Sequence, residues 1–143
     1  MSAQPNKVLI SEALRRHIMA SAFKTGITEC CRGWSGGDFK MPYVRLLMGQ
    51  WRAKIDMNST LRENCRVVVY AYGDAEQVER ILEVLSRWWA DPGAEPFTEL
   101  RSYGVVSMRF ESMQGADEDD IDDTGQEGVL VFQLWRDRNY LGN

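Results

Sequence analysis

Apolar and polar residues alternate along this chain in two rhythms, one near four and one of two. The first begins early. Ile10, Leu14, Ile18 and Ala22 recur every four residues, while Arg15 and Arg16 fall off that stripe. The spacing predicts a helix over residues 11–24. Ser11 is placed to cap it, because its hydroxyl can accept from the free amides of the first turn, and Gly26 with Thr28 marks the stop. A stronger helix is predicted over 75–90, where Val78, Ile81, Leu82, Leu85 and Trp89 share one face. Asp74 and Gln77 form a variant of the capping box, with Asp as the cap acceptor. Glu76 with Arg80 and Glu83 with Arg87 are i, i+4 pairs, each worth about 0.2–0.5 kcal/mol, and they mark the solvated face. Asp91-Pro92-Gly93 ends this helix, and Trp88 falls beside its stripe.

The second rhythm predicts strands. Val44, Leu46 and Met48 alternate with Tyr43, Arg45 and Leu47 until Gly49 interrupts the run before Trp51. Over 64–72, Val67, Val69 and Ala71 take one face and Arg66, Val68, Tyr70 and Tyr72 the other. The polar link 56–63 is short, so the two strands are expected to pair antiparallel. Over 103–112, Val106, Met108 and Phe110 alternate with Val105, Ser107, Arg109 and Glu111. Over 128–136, Leu130, Phe132 and Leu134 alternate with Val129, Val131, Gln133 and Trp135. These last two strands are joined by a loop of about 14 residues, longer than an ordinary hairpin connection. The segment 33–42, with Gly36-Gly37 before Pro42, reads as a structural turn; it lacks the Lys-Ser/Thr of a phosphate loop.

The elements add up to an α+β fold in a single domain, residues 1–143. A mainly antiparallel sheet of about four strands packs against an N-terminal helix and one central amphipathic helix, and carries a long acidic hairpin loop. A chain of 143 residues with 44% hydrophobic and 27% charged residues is an ordinary globular domain, which excludes disorder throughout, collagen and coiled coil. No apolar run approaches the roughly 18 residues of a membrane span. Residues 1–7 are polar and lack an apolar signal core, so the expectation is a soluble protein made in the cytoplasm.

Charge changes the picture. The formal net charge is -4, from 21 acidic and 17 basic residues. Six of the acids fall within seven positions: Asp117, Glu118, Asp119, Asp120, Asp122 and Asp123. Without them, 15 acids face 17 bases, so the body is mildly basic and bears one acidic loop. No basic stripe emerges from the subtraction, which argues against nucleic-acid binding in general and against sequence-specific reading in particular.

Candidate chemistry is sparse. With Gly125 at the sixth position of a calcium loop, Asp120, Asp122 and Thr124 fall at the first, third and fifth, but Val131 falls where a bidentate Glu is needed. Cys30, Cys31 and Cys65 are odd in number, and His17 is the one histidine, so neither a disulfide framework nor a zinc site is indicated. The thiols read as small buried or half-buried residues, and His17 as a helix-face residue. Asn58-Ser59-Thr60 matches a glycosylation triplet that has no meaning without secretion. There is no nucleophile turn and no Cys-His pair close in sequence. No catalytic residue, cofactor or metal is expected, and the protein is not expected to be an enzyme. The aromatic content is high instead. Trp34, Trp51, Trp88 and Trp135 lie in loops or off the main stripes, as rim packing or as an oligomer interface. The candidate interface set is therefore the six acids together with Trp88 and Trp135.

The order of elements resembles a known family. The segment Val105-Val106-Ser107-Met108-Arg109-Phe110-Glu111-Ser112, an Asp-rich loop, and Gly125-Gln126-Glu127-Gly128-Val129-Leu130-Val131-Phe132 together resemble the C-terminal hairpin of the tail-completion, or tail-terminator, proteins of tailed bacteriophages. The N-terminal helix, the Pro42-Tyr43-Val44 strand start, the Val67-Val68-Val69-Tyr70 strand and the helix over 75–89 match in the same order, over nearly the full length. The longer acidic loop and the Cys30-Cys31 pair depart from the pattern. The resemblance implies a structural virion protein that caps the head-proximal end of the tail tube as a homohexameric ring. Its partners would then be copies of itself, the tail tube, and the neck or connector proteins, with no membrane. The acidic loop would order against Arg or Lys on a neighbouring subunit or the next ring. The alternative from a different class is a small soluble adaptor or inhibitor that binds a protein through its acidic loop or sheet edge.

Overall fold

The computed structural model of the chain describes residues 4–33, 39–55, 61–90, 96–115 and 125–137. Helix α1 (Gln4–Ala20) is followed by a single further turn, α2 (Ala22–Thr25). The helix begins seven residues before Ser11, so Ser11 lies inside it and caps nothing. Pro5 explains the earlier start: in the first turn its missing N–H leaves no bond unmade and its fixed φ suits the helix. Ile10, Leu14 and Ile18 of the four-residue stripe are buried, with Ala13 beside them, whereas Ala22 falls in α2 and is half-buried. Gly26 ends α2 in the left-handed conformation (φ 77°), its N–H donating to the Ala22 carbonyl at 2.7 Å.

The sheet is built from β1 (Cys30–Arg32), β2 (Tyr43–Met48), β3 (Arg52–Ile55), β4 (Leu61–Gly73), β5 (Val105–Gln114) and β6 (Gln126–Asp137). Its order is β1-β2-β4-β6-β5, with β3 also paired to β4. All pairings are antiparallel except that of β1 with β2. The fold is thus the predicted α+β arrangement, with four expected strands and two short additions. β2 and β3 pair with successive halves of β4, on the edge opposite β6. Gly49 marks the break between them, its N–H donating to the Arg66 carbonyl at 2.9 Å.

Helix α3 (Ala75–Ala90) has the predicted bounds and cap. The Gln77 N–H donates to Asp74 Oδ1 at 2.8 Å, and the Asp74 N–H donates to Gln77 Oε1 at 2.9 Å. Both exposed ion pairs form, Arg80 to Glu76 at 3.1 Å and Arg87 to Glu83 at 3.2 Å. After residues 91–95, a short helix α4 (Phe97–Leu100) and a 3₁₀ turn (Arg101–Tyr103) lead into β5.

Strand alternation sorts the sheet into two faces. Val44 and Leu46 of β2, Cys65, Val67, Val69 and Ala71 of β4, and Leu130, Phe132 and Leu134 of β6 are buried under the helices in one core. Gly128 of β6 lies under α3, where a Cβ would meet Val78 Cγ1 at 2.5 Å and Leu82 Cδ1 at 2.8 Å. Strand β5 departs from the simple alternation. Register shifts between Val105 and Ser107, and between Phe110 and Ser112, insert Val106 and Glu111 as extra residues. Val105 consequently turns inward at 2% exposure, and Val106 outward at 46%, the reverse of their predicted sides.

Candidate interaction surface

The second face of the sheet carries Tyr43, Arg45 and Leu47 from β2, Arg66, Val68, Tyr70 and Tyr72 from β4, and Val129, Val131, Gln133 and Trp135 from β6. Among the described residues no helix packs on it, because the helices share the one core on the other side. The tyrosines form a ladder: the Tyr43 and Tyr72 rings stack at 4.8 Å, and Tyr70 and Tyr72 lie 6.4 Å apart. Burial, first, and the nearby Glu127 push the Tyr72 phenol up to about 12, so it remains protonated. The Arg109 guanidinium sits 5.6 Å from the Trp135 ring.

A groove of about 870 Å³ opens on this face, its walls including Leu47, Gly49, Arg52, Asn64, Arg66, Val68, Glu111 and Gln133. A hydrogen-bonded chain crosses three strands along it. Asn64 Nδ2 donates to Gln133 Oε1 at 3.1 Å, Gln133 Nε2 donates to Glu111 Oε1 at 2.8 Å, and Arg66 Nη2 donates to Glu111 Oε2 at 2.7 Å. The bulge in β5 is what presents Glu111 to this network. The Gln133 amide, foremost, and then Arg66 hold the Glu111 carboxyl below its usual range, against the opposing effect of burial. It is a fixed anion, committed to its donors. The groove offers recognition through guanidinium and amide groups, and its described walls contain no Ser, Thr, Cys, His or Lys.

The His17 imidazole engages Glu99. His17 Nε2 lies 2.8 Å from Glu99 Oε1, Arg16 pairs with the same carboxylate, and the Tyr103 hydroxyl donates to it at 3.4 Å. The Arg16 hydrogen bond, first, and then that of His17 lower the Glu99 carboxyl below its usual range. This cluster fastens α4 to α1. Cys30 and Cys65 are buried and Cys31 is half-buried, all as free thiols, and burial pushes the Cys30 thiol up to about 12. Among the described residues, no three His, Cys, Asp or Glu side chains gather as a metal site would require.

The predicted interface residues divide three ways. Asp117, Glu118, Asp119, Asp120, Asp122 and Asp123 lie outside the described residues. Trp88 is on the helix side, half-buried, with its ring edge-on to Phe132 at 6.5 Å. Trp135 is on the open face. The two tryptophans therefore do not form one patch. Arg52, Asn64, Glu111 and Gln133 were not singled out from the sequence. The alternation around Arg66 carried a signal for that face, whereas Arg52 follows an irregular break and Glu111 depends on a bulge.

No protein-family model matches the chain, and comparison with curated proteins gives no significant match. Among the described residues no helix is long and apolar enough to cross a membrane.

Proposed function

We propose that this chain is a structural subunit of a phage tail, closing into a ring at the head-proximal end of the tail tube and joining it to the neck. The observation that carries the proposal is an uncovered, arginine-bearing sheet face in a chain that also holds six acids within seven residues. Two unlike surfaces on one subunit are what a head-to-tail interface requires, and such interfaces close into rings when the rotation allows. The order of helices and strands supports the reading, as does a groove whose described walls offer guanidinium and amide groups for binding. The protein then acts by assembly, in the virion.

The edge strand supports a second reading. β5 borders the sheet and exposes Val106, Phe110 and Met113, a surface on which a partner's extended segment could add as a further strand. That describes a soluble adaptor or inhibitor. Sedimentation of the purified protein and imaging of tails incubated with it separate the two. A closed oligomer located at one tail end is expected. A monomer at all accessible concentrations, with no tail association, would exclude the ring.

A further inference from the structure

Resting on the ring reading, we infer that the groove on the open sheet face receives the acidic segment 117–123 of a neighbouring copy, with Arg52 and Arg66 taking its carboxylates. Arg52 is exposed on the groove wall and has no ion-pair partner among the described residues. Its register position beside Asn64 puts it on the open face. Arg66 is 61% exposed and engages one carboxylate oxygen through one amino group, so its remaining donors can accept a second anion.

The charges match in sign and place. On this face the register gathers Arg45, Arg52, Lys54, Arg62, Arg66 and Arg109 against Glu111, Glu127 and Asp137. Segment 117–123 carries six acids and no base. Its remaining residue, Ile121, matches the apolar part of the groove, formed by Leu47 and Val68. That combination asks for an acidic segment with one apolar residue, which is more selective than attraction to any polyanion.

At Arg52, reach favours a neighbour over the same chain. The chain re-enters the sheet at Gln126, which pairs with Gly73, whereas Arg52 pairs with Asn64. Nine residues along β4 separate those levels, roughly 30 Å. From Gln126 to Asp120, six residues extend about 20 Å at most. By the other limb, Gln114 shares a row with Val129 and Tyr70, four residues along β4 from Arg66. A subunit's own segment can therefore approach its own Arg66 but meets its own Arg52 only when drawn out along the sheet. A neighbour's segment has no such restriction.

The test uses the full chain and a labelled peptide of residues 115–125. Fluorescence anisotropy should show binding to the wild type that weakens with salt, falls at least ten-fold in Arg52→Glu, and disappears when the six acids are made amides. Changing Ile121 to Asn in the peptide should weaken binding several-fold, an effect pure ionic attraction does not produce. In the full chain, Arg52→Glu should raise the concentration needed for self-association at least ten-fold, and adding Asp120→Lys should recover part of the loss. Unchanged circular dichroism and unfolding midpoint in Arg52→Glu separate recognition from folding. A ring whose affinity and salt dependence ignore both variants would overturn the groove assignment and leave the ring reading standing. A monomeric wild type that still binds the peptide through Arg52 would overturn the ring reading and support the groove's recognition of this segment. Equal binding of a poly-Glu peptide would overturn the choice of occupant.

Discussion

At the scale of single residues, the most exacting position is Arg136. It is 4% exposed, its Nε donates to Glu63 Oε1 at 3.2 Å, and its guanidinium lies 3.9 Å from the Trp51 ring. One amino nitrogen, Nη1, has no hydrogen-bond partner among the described residues. A buried ion pair is costly to break from one side, since the surviving charge stays desolvated. Glu63→Ala is therefore expected to lower stability by about 3–5 kcal/mol, measured by urea unfolding. Replacing both residues with apolar ones of similar volume should cost much less, which separates a stranded charge from lost packing. Gly128 is constrained by space alone. Its substitution by Ala presses a methyl group against Val78 and Leu82, and overpacking of this kind costs about 1–3 kcal/mol. A loss below a few tenths of a kcal/mol would mean that α3 can shift away freely.

At the scale of elements, α3 shows how much a local pattern can specify. Its bounds, buried stripe, reciprocal cap and two ion pairs were all legible in the sequence, because each depends on residues at most a few positions apart. Asp74→Ala should cost about 1 kcal/mol by leaving the Gln77 amide uncapped. Equilibrium unfolding reads that directly. The join between α1 and α4 depends instead on a contact 83 residues apart in sequence, and no local pattern announces it. The carboxyl of Glu99 is lowered in the folded state, so its contribution is present above the unfolded-state value and is lost as pH falls through the depressed folded one. Stability measured through the acid range should therefore fall less steeply in Glu99→Gln than in the wild type. Parallel curves would remove Glu99 from the account. Strand β5 failed locally for a similar reason: a bulge is a property of the pairing with β6, and period two cannot report an extra residue. The early start of α1 at Gln4, ahead of Ser11, shows that a good capping residue is a signal only where the apolar stripe truly begins.

At the scale of the whole molecule, the helices among the described residues share one core with one face of one sheet. Unfolding should therefore be a single transition, with far-ultraviolet circular dichroism and tryptophan fluorescence giving coincident curves. Separate midpoints would show that α1 and α2 unfold apart from the sheet. The proposed surface was half legible. Alternation placed Arg66, Tyr70 and Tyr72 on one side of a strand, and composition isolated the acidic segment. That the helices gather on one side, leaving those residues uncovered, is a consequence of topology, which residue order alone does not express.

The two-sidedness of β4 also bears on how such a protein can change over generations. Its odd-numbered positions from Cys65 to Ala71 face the core, and its even-numbered positions from Asn64 to Tyr72 face outward. Substitutions at the first set are screened by folding and those at the second by whatever the face meets. One thirteen-residue strand thus holds two nearly independent sets of sites. A lineage could retune its partner at Arg66 or Tyr70 without reopening the interior, and drift in the interior would leave recognition intact.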